Sequence, residues 1–243
     1  NGRRIFNVAI RTIQLYKGQA IYGVGGGITW DSTWESEYRE VHQKAAVLYR
    51  KQARFQLITT GKISQKQLMF EEQHLERLRK ASRYFAFPFD SEILRQKIEE
   101  ECQACDDNHD YRLRISLSKS GEIEVERRVL TPLSTSFCQA QLCLQEANLQ
   151  QAFTYFKTTH RPHLSLGEQE KIYHNARGEL LETSIGNLVL KIAGKLYTPP
   201  IRLGILPGIY RQHLLETGQV EEKVLILKDL AQAEAVYGCN AVR

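Results

Sequence analysis

Long apolar runs are missing from this chain of 243 residues. None approaches the roughly 20 consecutive apolar residues that a membrane-crossing helix needs, which excludes a spanning helix and makes a membrane partner unexpected. No basic-then-apolar leader opens the chain, so no secretory signal is read, and both ends, Asn1 and "YGCNAVR", look cut from something longer. Blocks of like charge are also missing: the 33 Lys and Arg residues are scattered and leave a net charge of +5. That pattern is a solvated surface with a few anion contacts, not a nucleic-acid stripe. Cysteine is sparse, at five residues, and the odd number without a leader points to reduced thiols in the cytoplasm. "CQAC" at 102–105, with His109 beyond it, has the spacing of a zinc half-site, but a second ligand pair is missing, so it reads as the end of a surface helix. Internal repeats and low-complexity segments are absent.

What is present is a mixture of short strands and amphipathic helices. "IFNVAIRTI" (5–13) and the glycine-broken "AIYGVGGGITW" (20–30) read as strands. A helix follows, with Trp34, Tyr38, Val41, Ala45 and Leu48 at helical spacing and Asp31 or Ser32 as its cap. A second pattern starts near Ala53, with a strand in "RFQLITT" and a partner in "KQLMF". Two helices come next: one has Leu75, Leu78 and Ser82 on its stripe, the other has Ile93, Leu94 and Ile98 inside. "YRLRISLSKSGEIEVERRVL" is a hairpin turning at "KSGE", and "QAQLCLQ" is a strand. After residue 169, strands alternate with turns at "ARGE" and "AGK". "LPGIYRQHLLETG" opens a helix that stops at Gly218, and "KVLILKDLAQAEAVYG" reads as a strand followed by a helix. Without regular alternation of strand and helix, the class is α+β. The expected division is a fragment at 1–52 and a larger domain at 53–243, the latter with subdomains at about 53–145 and 146–243.

One stretch is chemically odd. In "FTYFKTTHR", Lys157 follows three aromatic residues. Lysine stems commonly lie along apolar surface with the amine in water. The alternative is an amine held in a pocket for covalent chemistry.

The flanking motifs, in order, are "HLERL", "FKTTHR", "ARGELLETSIGN", "GKLYTPP", "GILPGIYR" and "CNAVR". This ordered set resembles the class IV aminotransferase family of pyridoxal-phosphate (PLP) enzymes, fold type IV, over about residue 55 to the end. "FKTTHR" and "GIYR" are most similar to its aminodeoxychorismate lyase branch. "FNVAIRTI", "YGVGGGITWDS" and "EYREVHQKA" resemble the C-terminal end of the chorismate-binding synthases over residues 1 to about 52. Together they imply the lyase fused to the tail of a para-aminobenzoate synthase.

The resemblance implies Lys157 as the Schiff-base lysine and Glu182 as the carboxylate facing the pyridine nitrogen. Burial beside Tyr155 and Phe156 would lower the amine's pKa. It also implies Arg77 at the cofactor phosphate, Gly208, Ile209 and Tyr210 at a phosphate-binding helix start, and Asn240 near phosphate and substrate. Asn187 reads as structural. Arg11 and the loop Gly25, Gly26 and Gly27 match a chorismate-carboxylate site. Glu37 and Glu40, on one helix face with Lys44, match a magnesium-ligating position, for the N-terminal fragment only. The rest of that synthase site is expected upstream, so this segment should not run the synthase reaction. The implied reaction turns 4-amino-4-deoxychorismate into 4-aminobenzoate and pyruvate in folate biosynthesis. Implied partners are a small-molecule substrate, a glutamine amidotransferase subunit of the full synthase, and a second copy in a homodimer. The alternatives are a branched-chain or D-amino-acid transaminase and an inactive fusion fragment. The stretch "RPHLSLGEQEKIYH" is about a dozen residues shorter than in relatives, and Pro162 opposes a long helix there.

Overall fold

Hairpin chemistry opens the described residues. In the computed structural model, which describes residues 12–49, 53–132, 137–145, 151–165, 167 and 169–243, β1 (Ile13–Tyr16) pairs antiparallel with β2 (Gln19–Tyr22). The two-residue turn, Lys17–Gly18, has φ of 46° and 78°, the doubly positive geometry that matches strand twist. The strand expected over 5–13 lies outside the described residues except at its last two positions. The strand expected over 20–30 ends at Tyr22, where the glycines begin, because they lack side chains to hold a pleated surface. Helix α1 (Trp34–Tyr49) forms as expected, but Thr33 caps it: its Oγ1 accepts from Ser36 N–H at 3.3 Å. The apolar stripe is not buried: Trp34 is 74% and Tyr38 60% exposed, because two short strands and one helix provide too little surface to cover it. This unit runs to Ala53, and a second compact unit spans Arg54–Arg243.

The second unit begins with β3 (Leu57–Ser64), β4 (Gln67–Leu68), α2 (Glu71–Phe85), α3 (Ser91–Gln103), β5 (Tyr111–Leu117) and β6 (Ile123–Val129). The strands form an antiparallel sheet in the order β4-β3-β5-β6. Leu113, Ile115 and Leu117 of β5 are buried against Leu75 and Leu78 of α2 and Leu94 and Ile98 of α3. Ile93 is 49% exposed, not inside, because the buried stripe of α3 is Leu94, Ile98 and Cys102. Cys102 and Cys105 therefore belong to the core rather than to a surface helix end. Asp90 caps α3 by accepting from Glu92 N–H at 2.9 Å. Strand β3 and α2 approach so closely that a Cβ on Gly61 would stand 2.6 Å from His74 Nε2.

The rest comprises β7 (Ala140–Leu144), α4 (Gln151–Tyr155), β8 (Glu170–His174), β9 (Leu180–Thr183), β10 (Asn187–Ile192), β11 (Lys195–Thr198), α5 (Ile209–Glu216), β12 (Glu221–Glu222), α6 (Leu227–Gln232) and β13 (Ala235–Cys239). These strands form one sheet, β12-β11-β10-β9-β8-β7, with β13 joined to β10. Strand β10 thus bonds to β9, β11 and β13, and it is the hydrophobic centre: Leu188 and Leu190 sit in one cluster and Val189 in another. The strand-then-helix reading of the last segment is corrected. Residues 223–226 form no strand beyond an isolated bridge of Ile226 to Glu179, α6 runs from Leu227 to Gln232, and "AVYGC" is strand β13. Val236 and Tyr237 favour extended backbone, and the ladder to β10 outweighs the helical pattern of the alanines.

Candidate active site

Lys157 leaves α4 at a point pinned on both sides. Its own C=O accepts from Ile58 N–H at 3.0 Å, and Thr159 N–H donates to Gln56 C=O at 3.0 Å, so the segment joins the start of β3. The aromatic residues before it are anchors rather than pocket walls. Phe153 packs on Phe55 and Phe85, with ring centroids 5.1 and 5.6 Å away, and Phe156 packs on Tyr84 and Phe85. They fix the backbone to the first sheet's core, while the lysine side chain lines a cavity on the other side.

That cavity draws on both sheets. Thr60 comes from β3, Arg77 from α2, Lys157 and Arg161 from the segment after α4, Glu182 from β9, and Gly208 and Ile209 from the start of α5. Asn187 and Asn240 complete the wall. Arg77 reaches it because His74, one turn earlier on α2, is locked to β3 by a 2.6 Å hydrogen bond between Nδ1 and Thr59 Oγ1. Arg77 Nη2 then donates to Pro207 C=O at 2.8 Å, tying α2 to the loop that opens α5.

Glu182 is 1% exposed. Its Oε2 accepts a long 3.4 Å bond from Leu206 N–H, and Oε1 has no partner. Burial pushes this carboxyl up to about 7, against the pull of Arg161 and Lys157. Burial also drives the Lys157 amine well below its ordinary value, and the guanidiniums of Arg77, Arg161, Arg114 and Arg112 push the same way. Arg77 falls to about 10, from burial first and Arg161 second. Several cations thus face one carboxylate, and such a cavity suits an anionic ligand. The wall at α5 is tight: a Cβ on Gly208 would stand 1.9 Å from Asn187 Oδ1, and Asn187 Nδ2 donates to Leu206 C=O at 2.8 Å. Helix α5 has no side-chain cap, so its first N–H groups are left for whatever occupies the cavity.

The structure brings together Arg77, Lys157, Glu182, Gly208, Ile209 and Asn240. It does not bring the Tyr210 ring, which turns away to Phe70 and His213 at centroid distances of 6.1 and 6.0 Å. Arg161 is the cavity cation that sequence reasoning did not place, although it closes "FKTTHR"; Asn187, read as structural, both braces the loop and lines the cavity. As Pro162 led one to expect, no helix occupies the described residues between Lys157 and β8.

In the first unit, Arg11 lies outside the described residues. Gly25 and Gly26 meet α1 directly: Lys44 Nζ donates to Gly25 C=O at 2.8 Å, and a Cβ on Gly26 would lie 3.1 Å from Glu37 Oε2. Nothing within 4 Å faces Gly27. Glu40 is ion-paired with Lys44 at 2.5 Å. Among the described residues, no group of three or more His, Cys, Asp or Glu side chains could hold a metal. His109 bonds Asp106 at 2.9 Å, away from the two buried thiols. No helix among the described residues is long and apolar enough to cross a membrane.

Comparison with known proteins agrees with this geometry. Residues 56–243 match the model of the amino-transferase class IV family, and residues 1–50 match that of chorismate binding enzyme. A Schizosaccharomyces pombe protein named "Putative aminodeoxychorismate lyase" is 27% identical over 192 residues, covering 73% of this chain and 82% of its own. The crystal structure of a "Putative amino-acid aminotransferase" from Mesorhizobium loti superposes with a TM-score of 0.68 at 26% identity, over 78% of this chain and 96% of that one. A "hypothetical aminotransferase" from Mycobacterium tuberculosis in its PLP-bound form gives 0.64 at 19% identity, over 81% and 79%. The chain therefore belongs to the class IV aminotransferases, and it carries a chorismate-binding-enzyme segment ahead of that domain.

Proposed function

We propose that the class IV domain is a PLP-dependent lyase that converts 4-amino-4-deoxychorismate to 4-aminobenzoate and pyruvate, within a bifunctional para-aminobenzoate synthase. The class IV fold implies PLP, and the cavity fits that group: its cations suit a phosphate, Lys157 offers a depressed amine, and Glu182 puts a buried carboxyl in the wall. The observation that carries the reading is this convergence of Arg77, Lys157 and Glu182 in one cavity. The lyase, rather than the transaminase, is favoured by the pairing of this domain with a chorismate-binding segment and by the name of the S. pombe relative.

Arg77 and the N–H groups at Ile209 would hold the phosphate, Lys157 would bind the aldehyde covalently, and Glu182 would face the ring nitrogen. When bound, PLP supplies an electron sink for the carbon that carries the substrate amine. With PLP and substrate bound, Lys157 would serve as the base that takes the proton from that carbon. Burial lowers its proton affinity, which favours the neutral form this role needs. The net change breaks that C–H bond and the ring–oxygen bond of the enolpyruvyl ether, the three-carbon group leaves as pyruvate, and the ring becomes aromatic. Aromatisation drives the elimination, so the residues mainly orient and move a proton.

The test combines PLP and borohydride with wild type and Lys157→Ala. A Schiff-base band at roughly 410–430 nm, reducible to a stable adduct on Lys157 in wild type alone, is expected. Release of pyruvate and 4-aminobenzoate from aminodeoxychorismate then supports the lyase. Conversion of the bound cofactor to its amine form by glutamate or alanine, without that release, would replace the lyase reading with the transaminase.

A further inference from the structure

A buried imidazole and one buried carboxylate oxygen, both without hydrogen-bond partners, face each other at the cavity wall. His163 lies six positions beyond Lys157, on the segment that also carries Arg161. Its ring stands with Nε2 4.0 Å from Glu182 Oε1, and the two side chains are 1% and 2% exposed. Neither ring nitrogen of His163 has a hydrogen-bond partner, and neither has Glu182 Oε1. Buried polar atoms are rarely left so, because each has lost its bonds to water and gained nothing in return. A donor and an acceptor 4.0 Å apart, both unpaired, are complementary.

We propose that His163 is a positioning residue whose Nε2–H holds Oε1 of Glu182 and so fixes where that carboxylate stands. The inference rests on the reading of Glu182 as the carboxylate that serves the cofactor. Imidazole suits the task here. Burial, then the charges of Arg161 and His160, lower His163 to about 4, so the ring is neutral at physiological pH and carries a single N–H. The other groups that face Glu182 are already placed. Leu206 N–H is on Oε2, and Arg161 and Lys157 are the charged neighbours. Oε1 is therefore the acceptor left for the ring. One short segment would then carry Lys157 at one end and the support for Glu182 at the other, which sets the two ends of the site relative to each other.

Nitrogen-15 spectra of the imidazoles in the PLP-free chain should show His163 neutral with its proton on Nε2. The Glu182 carboxyl, carbon-13 labelled and assigned by its disappearance in Glu182→Gln, gives a second readout. Loss of the donor in His163→Leu should raise the carboxyl's titration midpoint by about one pH unit, tenfold in proton affinity. His163→Gln keeps an N–H of similar reach and should restore most of the shift. A proton on Nδ1, an unmoved midpoint in His163→Leu, or equal shifts in both variants would overturn the proposal. PLP trapping on wild-type Lys157, measured separately, reports on the cofactor reading alone.

Discussion

Replacing Glu182 by Gln should stabilise the PLP-free protein at alkaline pH while weakening its hold on PLP. The carboxyl is ordinary at 4.5 in an unfolded chain and rises to about 7 when buried. A raised carboxyl means the folded state holds the proton more tightly, so stability is full below pH 4.5 and is lost as pH rises through 7. Each tenfold change in proton affinity is about 1.4 kcal/mol, so ionised Glu182 costs the fold about 3 kcal/mol at pH 8 and almost nothing at pH 4.5. Gln keeps the shape and cannot ionise. Urea unfolding of both proteins across pH 5 to 8 gives the difference directly. Groups that do not touch Glu182, such as His74, whose burial gives the opposite slope, cancel in that difference. The advantage of Glu182→Gln should be small at pH 5 and grow to about 3 kcal/mol at pH 8, while PLP affinity drops. Parallel stability curves for the two proteins would refute the assignment of a buried, proton-hungry carboxyl to this position.

Gly208→Ala drives a Cβ to 1.9 Å from Asn187 Oδ1, so Asn187 must release Leu206; about 1–3 kcal/mol of stability and most PLP binding should go, read by thermal melts and equilibrium dialysis. Arg77→Gln removes the proposed phosphate partner and the tie to Pro207, and should weaken PLP binding by about 1.5–3 kcal/mol, measured by fluorescence titration. Lys157→Met replaces a desolvated amine by an apolar chain. The PLP-free protein should gain at least about 1 kcal/mol, most at low pH, while losing the borohydride-stable adduct. Leu113→Ala, in the first sheet's core and remote in kind from the chemistry, should cost about 2–5 kcal/mol in urea and leave the adduct in place.

Much of this site is legible in sequence because its residues occupy motifs whose spacing is local. "HLERL" places Arg77 one turn beyond the His74 that locks α2 to β3, and "LPGIYR" ends a loop where a helix starts. What was missed needed the third dimension. Arg161 looks like any arginine beside a threonine pair until β9 brings Glu182 to it. Tyr210 follows Gly208 and Ile209 in the motif, yet helical rotation carries its ring around to Phe70. Strand β13 reads as helix because the alanines that lead into it satisfy helical propensity, and only the ladder to β10 overrides them. The stripe on α1 has the right period, but period does not reveal whether there is anything to cover it.

The anchoring of Lys157 among the phenylalanines of one sheet, with Glu182 rooted in the other, makes the cavity a joint property of two cores. Neither core alone can present both groups. A ligand that grips both ends therefore acts as a rivet: it binds only when the halves are assembled, and its binding free energy is added to the stability of their union. Uptake of PLP should for that reason sharpen unfolding into a single transition, and it should slow hydrogen exchange in β3 and β9 together, although these strands belong to different sheets.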